Sequence, residues 1–398
     1  MSALINLFYI YDPWLFHIVR MSLVSGLFAL LWFGYKWYKK ELKRFVLPLD
    51  SLAVCIALIL LSVLPVLING TTEFGVIGMY VKLLVLFSLG IVIYNLFYAS
   101  SNGKNQLIRD LKLGIGAQSL LGFLALAGIP LFITISLATN SDMGGELSRF
   151  IGSEQEYRLY NFTSSAFFPL SAFYLMLLHF LLAYDDNENN GTALKSVYVF
   201  LLLFIGLISG RTFFIFSVIS LLLYFKLRYI PAILAFTLLV LFFAYNYPAN
   251  PYVAHALEIV INLIQGGSQI SSSSDTLVNK HLFMPELKQL IMGDGQYYVV
   301  GRTANSYYGG SDSGFIRQAL YGGVGYILLC FLFTAYFVKR IADNWFNGSW
   351  KFILSALFLL SILNIKADTF AYPGIMFVFL MFVSLFGDKG KIIIVERK

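Results

Sequence analysis

The sequence predicts an all-α polytopic membrane protein with about eleven transmembrane helices and one large, partly helical outer loop. Three observations predict it. Of 398 residues, 59% are hydrophobic and only 12% charged, and the mean hydropathy of +0.76 lies far outside the range of ordinary soluble domains. Apolar runs recur along the whole chain at close to the roughly 20 residues that a helix needs to cross about 30 Å of hydrocarbon. The runs are continuous, whereas the strands of a membrane barrel alternate polar and apolar residues.

Taken in order, the spans cover residues 15–35, 47–68, 76–98, 113–137, 166–184, 194–208, 213–225, 229–245, 315–338, 352–365 and 372–386. The stretch ahead of the first, "MSALINLFYIYDPW", lacks the basic start and small-residue cleavage site of a removable signal peptide, so the N-terminus reads as mature. The first span stops at Lys36, Lys39 and Lys40, the fourth follows Lys104, Arg109 and Lys112, the eighth follows Lys226 and Arg228, and the ninth stops at Lys339 and Arg340. Together with Lys43, Arg44, Lys195, Lys351 and the basic C-terminal tail, these residues fall on one alternating set of connections. By the positive-inside rule that set is cytoplasmic, the N-terminus is outside and the C-terminus inside. Hydropathy therefore divides the chain into N-terminal spans (1–245), a large outer loop (246–313) and C-terminal spans with a tail (314–398).

The formal charge of +7 is accounted for largely by this orientation and does not imply a nucleic-acid partner. Cys55 and Cys330 lie inside spans, which argues against a disulfide framework or a cysteine metal site. No Walker loop or dinucleotide fingerprint is present, and the histidines His17, His179, His255 and His281 have no metal-ligand spacing. No cofactor or metal is expected, so the energy for any bond made must arrive with the substrate.

Ten basic residues lie away from the cytoplasmic anchors: Arg20, Lys82, Arg149, Arg158, Arg211, Lys280, Lys288, Arg302, Arg317 and Lys366. Charge at membrane depth is costly and usually faces a cavity, a partner charge or a ligand. In "FIGLISGRTFFIFSVI" (204–219), one continuous helix would put Lys339, Arg340 and the basic tail outside, so two short spans meeting at "SGRT" fit better. Arg211 then opens a helix whose free N–H groups point outward, and "SG" permits close backbone approach, a combination suited to phosphate. The competing reading is an arginine that snorkels to the outer headgroups.

The second cluster, "MGDGQYYVVGRTANSYYGGSDSGFIRQALYGGVGY" (292–326), runs from a glycine- and tyrosine-rich segment straight into a span. Asp312 stands at the mouth and Arg317 about one turn inside. On the functional reading, Arg317 lines the same cavity as Arg211 and Asp312 is the base; on the structural one, Asp312 or Ser313 caps the helix and Asp312 neutralises Arg317. Tyr297, Tyr298, Tyr307 and Tyr308 offer flat faces and hydroxyls to sugar rings, although tyrosine is also common at membrane interfaces. In "NIKADTFAYPG" (364–374), Lys366 and Asp368 read either as an ion pair or as part of the site. In the large loop, "PYVAHALEIVINLIQ" and "MPELKQLIM" have the spacing of helices lying on the membrane or over a cavity.

The "SGRT" turn, and the large outer loop closed by "GDGQYY" and "SDSGFIRQALYGGVGY", resemble the Wzy-type O-antigen polymerases and, more distantly, the O-antigen ligases of bacterial inner membranes. These parts cover about half the chain; the early spans match only in hydropathy. The resemblance implies a GT-C-like protein of the bacterial inner membrane. It would transfer a growing glycan from undecaprenyl diphosphate to the next lipid-linked repeat unit on the periplasmic side. Arg211 and Arg317 match the arginines that hold the diphosphate, and Asp312 stands where related ligases carry a histidine, so it takes the place of the base. Arg158, Lys280, His281, Arg302, Tyr308, Lys366 and Asp368 are the substrate-binding candidates on the same side. The implied partners are undecaprenyl-diphosphate-linked oligosaccharides, membrane lipids and a chain-length regulator. Two alternatives stand beside this reading. One is a ligase, which differs only in acceptor; the other is a flippase or transporter, for which paired halves and short loops would be more usual.

Overall fold

The apolar runs fold as helices, each closing its own backbone hydrogen bonds as a lipid phase demands. The computed structural model describes residues 1–42, 44–140, 146–187, 194–266, 275–299, 307–387 and 390–396. Among them, five helices are long and apolar enough to cross a membrane: Leu49–Asn69, Gly75–Phe97, Phe167–Asp186, Leu227–Asn246 and Gly314–Trp345. Their outward faces are apolar. Val324, Leu328 and Leu332, spaced by four on one helix, and Leu234, Leu238 and Leu241 on another, are exposed. Such continuous stripes are untenable in water and suited to lipid. The only strands among the described residues form two short pairs, so the fold is all-α.

The chain packs as two compact units, each gathered from separated stretches. The first unit is Met1–Lys39, Val92–Ser271 and Gly374–Phe379. At its centre is Phe167–Asp186, buried on every face, as expected of a helix that is apolar all round. Phe173 and Phe180 each meet Phe379 edge-on, at 5.7 and 5.8 Å. His179 is a satisfied core histidine, its Nδ1 3.0 Å from Ser220 Oγ.

Helices Ser196–Ser209 and Arg211–Leu223 break at Gly210, as the charge count predicts. They also fold back closely: a Cβ on Gly206 would fall 2.3 Å from the Phe213 ring. The predicted span 113–137 is instead two helices, Gly103–Leu126 and Pro130–Thr139, parted by Gly128 in the left-handed region and by Pro130 at the second helix start. Residues before the first predicted span form helix Ser2–Tyr11, which packs on Gly103–Leu126. At 10 residues it is too short to register as a span. The first predicted span begins late, at Met21, after a tight strand pair (Trp14–Leu15 with Val19–Arg20). The cause lies within the same stretch, where Asp12 accepts from Ser22 N at 3.0 Å and pairs with Arg20 at 3.1 Å, fixing the helix start.

At one end of this unit the buried Asp185 accepts from Leu194 N, Tyr229 and Arg228, while Tyr184 donates to Asn105. At the other end Thr163 donates to Tyr11 O and Ser164 N to Asp12 O.

The second unit is Lys40–Ile91, Ser272–Pro373 and Leu380–Lys398. Strand Arg44–Leu47 pairs antiparallel with Ile392–Glu396, and nearby in sequence Asp50 accepts from Tyr336 and Arg340. The long helix Gly314–Trp345 is interrupted at Gly322–Gly323. The break frees the carbonyls of Leu320 and Tyr321, which accept from Asp294 N (2.7 Å) and Gly295 N (3.0 Å). The "GDG" segment is thereby docked against the helix; a Cβ on Gly323 would fall 2.5 Å from Ile291 O. Thr71 Oγ1 donates to Gly295 O at 2.7 Å, adding the 70–74 turn to the same end.

Candidate functional site

Each unit holds a buried arginine centre. In the first, Gly210 ends one helix and Arg211 begins the next, and Gly210 as N-cap has no side chain with which to cap it. The Arg211 guanidinium is buried and pairs with Glu258, at the start of helix Glu258–Gln265. Arg158 comes from the single turn Glu156–Leu159 and lies 4.8 Å over the Phe167 ring. Its Nη1 donates to Gln155 at 3.2 Å, while its Nε is buried without a hydrogen-bond partner.

Gly210 makes this proximity possible. A Cβ there would lie 2.7 Å from Arg158 Nη2 and 2.8 Å from Ser171 Oγ. Burial lowers the Arg158 pKa to about 10, with Tyr157 opposing and Arg211 adding to the fall, so it remains a cation at neutral pH. Beside the arginines, His255 Nδ1 is 2.9 Å from Tyr157 Oη. Burial first, then Arg158 and Arg211, push His255 down to about 4 against the opposing pull of Glu154, which leaves the imidazole neutral at pH 7. Tyr157 also lines an apolar cavity of about 260 Å³.

In the second unit, Arg317 is 3% exposed and lies one turn inside helix Gly314–Trp345. Its guanidinium stands 3.9 Å from the Tyr307 ring centre and 5.6 Å from that of Tyr297. Nη2 donates to the main-chain oxygen of Asp312 at 2.8 Å; Nε and Nη1 are buried with no hydrogen-bond partner. Gly314 lets the helix start abut the 364–370 turn, since a Cβ would fall 2.4 Å from Asn364 Oδ1 and 2.7 Å from Asp368 Cα. Asp368 is buried and accepts from Tyr297 and Gln318. Burial raises its pKa to about 6, against the pull of Arg317 and both donors.

The Asp312 carboxylate does not turn to Arg317. It is 59% exposed and lies 3.4 Å from His281 Nε2, while its own N–H donates to His281 Nδ1. Ser313 is the N-cap residue but makes no side-chain capping bond.

Arg158 and Arg211 thus come together in the first unit; Arg317, Asp312, His281 and Asp368 gather in the second. Tyr308 donates to Asp294 at 3.1 Å, Lys280 is exposed beside His281, and Lys366 ends helix Trp350–Lys366. Tyr297 is fully buried against Arg317 and Asp368, so its ring is not presented to a sugar. Arg302 lies outside the described residues. His255 and Glu258 carry no site role in the sequence reading; their partners Tyr157 and Arg211 are remote in sequence, and no local motif marks them. Comparison with family models, curated proteins and solved structures finds no match to this chain.

Proposed function

We propose that the chain is a bacterial inner-membrane polymerase of surface polysaccharide, of the O-antigen type. It extends a glycan by transfer from undecaprenyl diphosphate to a hydroxyl of the next lipid-linked repeat unit. The observation that carries this reading is Arg317, whose two buried donors without a protein partner stand beside carboxyl and imidazole groups able to take a proton. Attack of the acceptor hydroxyl on the anomeric carbon forms the new C–O bond. The bond from that carbon to the diphosphate oxygen breaks, the electron pair leaves with the diphosphate, and the hydroxyl proton passes to Asp312, which His281 orients. Arg317 offers its free N–H groups to the charge growing on the leaving group.

Eleven spans with the N-terminus periplasmic and the C-terminus cytoplasmic belong to the same proposal, and the bonding at the ends of each unit supports it. In the first unit, Asp185 and Tyr184 tie together segments that the basic residues assign to the cytoplasm, whereas Tyr157–His255 and Arg211–Glu258 tie together segments assigned outside. In the second, the pairing of Arg44–Leu47 with Ile392–Glu396 joins two cytoplasmic segments, and the Thr71–Gly295 and Tyr297–Asp368 bonds join outer ones.

The test uses purified protein in detergent with purified lipid-linked repeat units and no second membrane compartment. Wild type is expected to make longer products. Asp312→Asn should retain lipid binding and lose transfer by about a hundredfold or more, and Arg317→Ala should weaken both. Well-folded wild type that binds substrate but forms no polymer would favour a transporter, and transfer only onto a lipid A core acceptor would identify a ligase.

A further inference from the structure

The cavity in the first unit is walled by side chains such as Leu126, Phe204, Leu239, Phe243, Val253 and Leu257. Among its lining residues only Tyr157, Asn250 and Tyr252 carry polar side-chain atoms. At about 260 Å³ it is near the lower end of ligand pockets, room for a stretch of hydrocarbon rather than for a glycan. It adjoins the arginine centre at Tyr157, whose hydroxyl meets His255 and which feels both Arg158 and Arg211.

The segment 250–257 roofs the cavity, and the residue after Leu257 is Glu258, whose carboxylate occupies the Arg211 guanidinium. Carboxylate and phosphate present the same paired oxygens to arginine. Glu258 is 24% exposed and so within reach of a competitor. His255 contributes no charge, and the Arg158 Nε is buried without a hydrogen-bond partner. Two arginines beside an apolar cavity favour a ligand that brings negative charge and an apolar tail together.

We propose that this cavity takes a hydrocarbon segment of an isoprenyl diphosphate, whose headgroup displaces Glu258 from Arg211. The inference rests on the polymerase reading for the identity of the lipid. Leu257 and Glu258 are adjacent, so entry of the tail and release of the carboxylate move the same piece of backbone.

Binding is measured on the full-length protein in detergent, with labelled undecaprenyl diphosphate, farnesyl diphosphate and inorganic pyrophosphate as probes. Affinity should rise with chain length, by at least about a hundredfold from pyrophosphate to the undecaprenyl lipid. Excess phosphatidylglycerol should not displace that lipid. Val253→Trp and Ala256→Trp, which fill the cavity, should each weaken undecaprenyl diphosphate binding about tenfold and not weaken pyrophosphate binding. Glu258→Gln should tighten binding of all three probes by about threefold or more.

Equal affinity for the three probes, displacement by phosphatidylglycerol, or normal lipid binding in a folded cavity-filled variant overturns the cavity. An unchanged Glu258→Gln overturns the exchange. If both tryptophan variants misfold, the chain-length series on wild type decides. Tail-dependent binding without any polymer synthesis sinks the polymerase and leaves the cavity; polymer synthesis with tail-independent binding does the reverse.

Discussion

Asp368 is held by neutral donors, Tyr297 and Gln318, with Arg317 near enough to act on it, yet burial outweighs all three and raises its pKa to about 6. A carboxyl with a raised folded-state pKa adds stability that is complete below the ordinary value near 4 and is lost as pH climbs through about 6. Wild type should therefore lose up to about 3 kcal/mol between those limits, and Asp368→Asn should lack that part of the slope. Thermal unfolding in detergent at pH 4, 5, 6 and 7 measures the difference, and parallel slopes for the two proteins would refute it. The residues legible in the sequence were the expensive ones: Arg211 and Arg317 stand out because charge inside an apolar run demands an account. Their partners were not legible. Asp312 meets His281 at a separation of 31 residues and Tyr157 meets His255 at 98, and no periodicity connects positions so far apart.

Among the elements, glycine breaks are where sequence and structure agree and diverge most instructively. The Gly210 break was legible from charge, since only two helices keep the later basic residues on one side. The interruption at Gly322–Gly323 was not, because what makes it tolerable is the distant pair of donors at Asp294 and Gly295. Two substitutions in the same hairpin should separate helix packing from site geometry. Gly206→Ala drives a Cβ into the Phe213 ring at 2.3 Å and should destabilise the helix pair by about 1–3 kcal/mol, read as a lower melting temperature in detergent. Gly210→Ala meets the far ends of Arg158 and Ser171, which can move, but it also holds a side chain at φ 159°, a conformation that favours glycine. It should melt somewhat earlier than wild type and also weaken pyrophosphate binding as much as Arg158→Ala does. If Gly210→Ala instead binds pyrophosphate normally, the glycine serves the fold and not the arginines.

On the scale of the whole molecule, hydropathy carries the class of fold, and charge carries the sidedness proposed for it, because both act through the surrounding medium and need no knowledge of partners. How the stretches group into two units is invisible to either, since a lipid-facing leucine and a packed one read alike in sequence. Sidedness can be tested without any assumption about function. Cys55 and Cys330 are buried, at 3% and 0% exposure, so the native thiols should give little background with an impermeant maleimide. A cysteine at Ser153, half-buried in the loop that carries Arg158, should react in intact spheroplasts. One at exposed Lys195, beside the Asp185 network, should react only after the inner membrane is opened. Lys195 lies in the connection between two spans and Ser153 in the connection before it, so a single inverted helix would reverse one label and leave the other. Reaction of both, or of neither, before lysis would therefore remove the alternation on which the outer location of Arg211 depends, and with it the assignment of the first arginine centre to the periplasmic face.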